Sequence, residues 1–283
     1  MSMFDPLMLA GTGLKVALYG AALFVIGTLA AVAAGVVERD GTRVWLVRAA
    51  WGALALIMIA AGRFGLSVVQ MGDPGMAAMV WQVQAATTTA LLAGAGLTMA
   101  LLLLNPGWIR TALSAVAACL VAASFALTGH GQALSDPGFV PLIIGGHVLL
   151  AGFWVGALWI LWPTPLLPDS FVSARAERFG AAALIVIPAL VVGGVVLALR
   201  LGGGLGGLLT STYGQALAVK AAAVIAALGV GASNKLRVTP LLKSQPDVGR
   251  PALRRALMAD AGLFATALLA IASATTLFGP STD

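Results

Sequence analysis

Eight mostly apolar stretches follow one another along this chain, at roughly 14–37, 44–66, 78–104, 108–129, 139–162, 179–200, 214–233 and 253–279. A bilayer-spanning helix needs about 20 such residues, and inside lipid a helix satisfies its own backbone hydrogen bonds without a neighbour. Nothing in the chain alternates polar and apolar residues in the manner of a membrane barrel. The pattern predicts an all-α polytopic membrane protein of about eight transmembrane helices. Charged residues make up only 9% of the 283, too few to cover the surface of a soluble domain. The start, "MSMFDPLMLAGTGLK", has no basic leader, so the first helix is expected to serve as the insertion signal and remain.

The net charge of +6 would fit nucleic acid in a soluble protein. Here it reports topology. Twelve of the 16 lysines and arginines fall in or beside the connections after the first, third, fifth and seventh helices, among them Arg43, Arg110, Arg175, Lys243, Arg250 and Arg254. The positive-inside rule then puts those connections in the cytoplasm and both termini outside. On this reading the longest connection, "NKLRVTPLLKSQPDVGRPALRR", is a polar loop. The chain is one integral membrane domain, with a four-helix half at 1–129 and a second half at 130–283. A faint parallel between "GRFGLSVVQMGDPGMAAMVWQVQ" and "LALRLGGGLGGLLTSTYGQALAVK" would fit a four-plus-four parallel repeat. Dense glycine and alanine ("AGAGL", "VVGGVV") suit close helix packing in lipid.

An ionisable side chain inside a bilayer costs about 3 kcal/mol or more unless paired or hydrated, so each one asks for a reason. Arg63, His147, Lys220 and Asp260 lie within spans, and His130 lies at the outer rim. His147 sits in "GGHVLLAGFWVGALW", sharing a helical face with Ala151, Trp154 and Leu158. It can be a metal ligand, a proton carrier or a satisfied core histidine, and Trp154 can wall a cation or pack against lipid. His130, between Gly129 and Gly131, is on the same side of the membrane, so the two histidines can converge on one ion. Met71, Met76 and Met79 lie in or beside the second outer loop, next to Asp73. Thioethers suit Cu(I), and imidazole suits copper, zinc and iron alike. Methionine is also a common apolar filler. Lys220 shares a face with Tyr213, and static pairing of Asp260 with Lys220 or Arg63 would neutralise both. No nucleotide loop, nucleophile elbow or paired His-Glu zinc helix is present, so no enzyme chemistry is expected.

Four segments in order resemble the bacterial copper resistance D proteins (CopD/PcoD): "GGHVLLAGFWVGALWIL", "ERFGAAALIVIPALVVGGVV", "LLTSTYGQALAVKAAAVIAALGVGASNKLRVTP" and "LRRALMADAGLFATALLAIASATTLFGP". The resemblance covers about residues 125–280. His147, Trp154, Thr212, Tyr213, Gly214, Lys220 and Asn234 match the family pattern, whereas Asp260 stands where the family usually has glutamate. The resemblance implies a bacterial inner-membrane protein that moves copper from periplasm toward cytoplasm. It also implies a CopC-type periplasmic copper chaperone as a separate partner chain. Nucleic acid is not an expected partner; membrane lipid is. Other readings remain at this point: a copper relay that does not transport, a membrane oxidoreductase binding haem b through His147 and His130, and a structural subunit that binds no metal.

Overall fold

The computed structural model describes residues 6–38, 41–127, 138–202 and 204–273. It contains eight helices long and apolar enough to cross a membrane. The elements are α1 (Pro6–Ala33), α2 (Thr42–Met71), α3 (Ala77–Ala100), α4 (Trp108–Ala126), α5 (Val140–Ile160) and α6 (Asp169–Leu201). There follow a short α7 (Gly204–Thr210), α8 (Thr212–Ser233), a short α9 (Thr239–Ser244) and α10 (Pro246–Ser273). Among the described residues there is no strand, and the chain is an all-α multi-pass membrane protein.

Helix ends differ from the hydropathy reading wherever backbone chemistry overrides it. The first helix stops at Ala33 because Gly35 takes the left-handed conformation (φ 67°). Its N–H reaches Val32 O at 3.1 Å and the Val36 N–H reaches Ala31 O at 2.9 Å, which closes the last turn in a Schellman cap. The sixth helix starts ten residues before its apolar span, at Asp169, an acid in its first turn.

The expected polar loop after the seventh span is itself helical. From α8 the chain passes through one π-helical turn (Asn234–Val238) into α9, breaks at Gln245 and enters α10 at Pro246. Polar sequence hid this because the basic residues find partners. Arg250 donates to Asp169 Oδ1 at 2.5 Å, to Thr164 O at 2.9 Å and to Leu167 O, and Arg254 donates to Pro163 O at 2.9 Å. These bonds hold the α5–α6 connection against the start of α10. Asp260 consequently lies 14 residues into its helix, not two turns from its end.

Two apolar cores share α1. One joins α1 to α2, α3 and α4, with Ile26, Leu29, Leu46, Leu56 and Val121 fully buried. The other joins the end of α1 to α5, α6, α8 and α10 through Trp154, Ile160, Leu190, Leu253 and Leu257. The packed pairs α1–α2, α3–α4 and α1–α4 have positional counterparts in α5–α6, α8–α10 and α5–α10. The two similar segments both form a helix, a short helical turn and a helix, each with a side-chain cap: Asp73 accepts from Gly75 N at 2.8 Å, and Ser211 accepts from Gly214 N at 3.0 Å. α6 meets α8 chiefly through α7 at one end and through the π turn and α9 at the other. The outward side of α6 presents Leu184, Ile185, Val192 and Val195, apolar and exposed as a lipid-facing surface must be.

Gly214 explains part of the "TSTYG" run. A β-carbon there would overlap the Leu208 backbone, so α7 and α8 touch where Tyr213 is buried. Gly214→Val is expected to open this corner and lower the thermal midpoint of the detergent-solubilised protein by more than a typical surface change. The cost of overpacking a tight contact is about 1–3 kcal/mol. A wild-type midpoint would show that the corner is not closely packed.

Candidate metal centre

α5 is held on α1 by contact of backbone with backbone, and this fixes where its polar residue points. Gly152 and Gly156 lie against Gly27, and Trp159 Nε1 donates to Thr28 Oγ1 at 3.0 Å. With that face committed to α1, His147 is turned toward α6. A β-carbon at Gly194 would stand 3.1 Å from His147 Cε1, and one at Gly193 would stand 3.8 Å from Nδ1. The glycine pair in "VVGGVV" therefore makes room for the imidazole ring.

The ring nitrogen Nδ1 is buried and makes no hydrogen bond of good geometry, although the Leu190 backbone is within interaction range of the imidazole. A buried polar atom left so costs about 1–3 kcal/mol, and such atoms are rare enough in folded proteins to need an explanation. Asp260 Oδ1 and Asn234 Oδ1 are likewise buried without a hydrogen bond. The three belong to α5, to α10 and to the π turn that follows α8, elements that meet around the second core. Lys220 of α8 lies within electrostatic range of His147.

The expected pairing of Asp260 is not made. It is 4% exposed and belongs to no ion pair among the described residues, so neither Lys220 nor Arg63 neutralises it. Arg63 is exposed on α2, within electrostatic range of Lys15, and so is far from α10 in the helix order. Trp154 does not face lipid: it is 4% exposed and meets Phe264 edge-on, ring centroids 5.2 Å apart. With a rise of 1.5 Å per residue, Trp154 lies about 10 Å below His147 along α5, and Asp260 about 6 Å below Phe264 along α10. The aromatic pair thus stands between the two orphaned groups.

The methionines are elsewhere. Met71 ends α2, Met76 closes the turn Pro74–Met76, and Met79 is in the first turn of α3. Met71 and Met79 are about half exposed, at 53% and 50%. α5 packs on α1, α4, α6 and α10, so α1 and α4 separate this turn from His147. Among the described residues no group of three or more His, Cys, Asp or Glu side chains could hold a metal ion. His130 lies outside the described residues, and with it the expected convergence of two histidines.

Sequence reasoning singled out the orphaned His147 and Asp260. It passed over the Gly193–Gly194 seat, whose signal was the glycine pair in an otherwise β-branched apolar run. It also passed over Glu38, which lies between spans and pairs with Arg175.

The model of the family CopD, copper resistance protein D, matches residues 173–274. That segment carries α6, α8 and α10, and so Tyr213, Lys220, Asn234 and Asp260, while His147 precedes it. No curated protein and no solved structure matches the chain.

Proposed function

We propose that this membrane protein, whose residues 173–274 match the copper resistance protein D family, receives copper as cargo at its arginine-poor end and passes it inward by way of His147. The positive-inside rule supports arginine-rich connections in the cytoplasm and the arginine-poor end outside; the family match supports a bacterial inner membrane, in which that end would face the periplasm. The observation that carries the reading is the buried Nδ1 of His147, which makes no hydrogen bond of good geometry. A neutral imidazole nitrogen is a good copper ligand. Here it is held between α5 and the glycine seat of α6.

Met71, Met76 and Met79 form a separate capture station of soft thioethers at the periplasmic rim. His130 follows α4 on the same side. A CopC-type chaperone, as a separate chain, delivers the metal there. Asp260 is the next donor below the Trp154–Phe264 pair on the inward route.

A second reading has a specific observation in its favour. The Trp154–Phe264 contact lies between the levels of His147 and Asp260, which supports a relay that hands copper to another protein without transport. Import requires this pair to part. Copper flux into proteoliposomes separates the two: uptake by the wild type favours import, and binding without uptake favours relay.

The first experiment titrates Cu(I) into the purified full chain against a competing chelator, with His147→Ala beside the wild type. Loss of a ligand is expected to weaken binding at least about 100-fold, the upper end of what even indirect metal-site changes cost. Gly194→Val, which crowds the ring and leaves it in place, is expected to weaken binding less. Equal binding by wild type and His147→Ala would move the site to the methionines. No binding by either would sink both copper readings, and a Soret band in the purified protein would then favour haem.

A further inference from the structure

At the arginine-rich end, far from His147, the first turns of α2 and α4 and the connection between α3 and α4 enclose a cavity of about 420 Å³. Arg43, Asn105 and Arg110 supply its polar lining, and Leu46, Leu102 and Leu103 its apolar wall. Arg110 is only 7% exposed. Its guanidinium donates to Thr42 Oγ1 at 2.5 Å and toward Leu104 O at 3.5 Å, both neutral acceptors. Arg175 and Arg250 each have a carboxylate, whereas neither Arg110 nor Arg43 has an ion pair among the described residues. A buried cation bonded only to neutral groups keeps an uncompensated charge.

The backbone adds to that charge. Both α2 and α4 begin at this cavity, and neither N-cap residue, Gly41 or Gly107, supplies a side-chain cap. The first N–H groups of a helix have no intrahelical acceptor, and the helix dipole places partial positive charge on them. Two such ends and two arginines around one cavity make a site for a phosphate. The apolar wall decides the source: Leu103 is 87% exposed, beside Leu102, and a lipid chain can cover it where free phosphate cannot.

We infer that this cavity binds the phosphate headgroup of an anionic phospholipid, with an acyl chain lying along Leu102 and Leu103. Free phosphate shares the headgroup chemistry but gains nothing from the leucines. This inference stands apart from the copper reading, since it uses other residues at the other end of the bundle.

The full-length protein in phosphatidylcholine nanodiscs, with or without a minor fraction of cardiolipin, provides the test. Cardiolipin retained through detergent exchange is read by native mass spectrometry, and thermal midpoints are read in both nanodiscs. Wild type is expected to retain cardiolipin and to melt higher in its presence. Arg43→Gln is expected to weaken retention about fivefold, the contribution of one arginine near a charged membrane surface. Arg110→Gln is expected to abolish it. Should Arg110→Gln fail to fold, the pair Arg43→Gln with Asn105→Leu takes its place, since both residues are exposed. Unchanged retention in the variants overturns the site. Equal stabilisation by inorganic phosphate in the neutral nanodisc overturns the lipid assignment.

Discussion

Gly27→Leu is expected to prevent α1 from seating on α5, so that little monodisperse protein is recovered from membranes. A β-carbon at Gly27 would overlap the Gly152 carbonyl oxygen and stand 2.9 Å from the Gly156 Cα, so what it meets is backbone, which cannot rotate away. Gly152 is equally committed, because its β-carbon would overlap the Ile26 side chain. In lipid no hydrophobic effect drives helices together, and close approach of small residues supplies the van der Waals contact that does. The crossing also sets the Trp159–Thr28 hydrogen bond of 3.0 Å and the Phe24–Trp159 contact of 4.9 Å. Inserting one extra methylene into a packed site costs about 1–3 kcal/mol; leucine adds four carbons against main chain and exceeds that. Gly96→Leu is the control, since a β-carbon there meets nothing within 4 Å. Size-exclusion profiles and thermal midpoints of the two variants check the expectation. A Gly27→Leu protein that behaves as Gly96→Leu does would disprove the close crossing.

The second large effect is expected just beyond the C-terminal end of α1. Arg175 donates from Nη2 and Nε to Glu38 Oε2 at 2.6 and 2.8 Å, with side chains only 8% and 15% exposed. Nη1 reaches the Ile160 carbonyl at 3.4 Å, and the guanidinium lies 6.0 Å from the Trp45 ring centroid. One arginine thus ties the α1–α2 connection to α2, the end of α5 and the start of α6. Removing one member of a buried pair leaves the other charge uncompensated, at about 3–5 kcal/mol. Arg175→Met is therefore expected to lower stability by about that amount, and Glu38→Gln by a similar one. In Arg175→Met with Glu38→Gln together, much of the loss should return. Thermal unfolding of the three variants in one detergent measures it. Additive losses in the double variant would mean that the two side chains do not act as a pair.

How much could be read from the chain alone follows from what each signal depends on. Span number and helical class depend on local composition, and all eight spans were legible in it. Their ends were less so. Gly35 stops α1 by a backbone conformation that hydropathy does not register, and Pro246 starts α10 inside a stretch whose charges mimic a loop. The candidate site divides in the same way. His147 and Asp260 stood out because an ionisable group in an apolar run is conspicuous. Their surroundings did not: α8 and α10 pack together, yet among the described residues Asp260 makes no ion pair with Lys220 or Arg63.

The sequence by itself determined that this chain crosses a membrane eight times, where its positive charge collects, and which few side chains need an explanation. These follow from the free energy of placing each residue type in lipid, which is local. Only the tertiary structure decided that the glycines around His147 divide into a crossing with α1 and a seat on α6. It also decided that Trp154 closes on Phe264, and that Arg110 and Arg43 share a cavity with no carboxylate among the described residues. Those are properties of helices brought together from distant parts of the chain. Packing selects them through distances that no single segment contains.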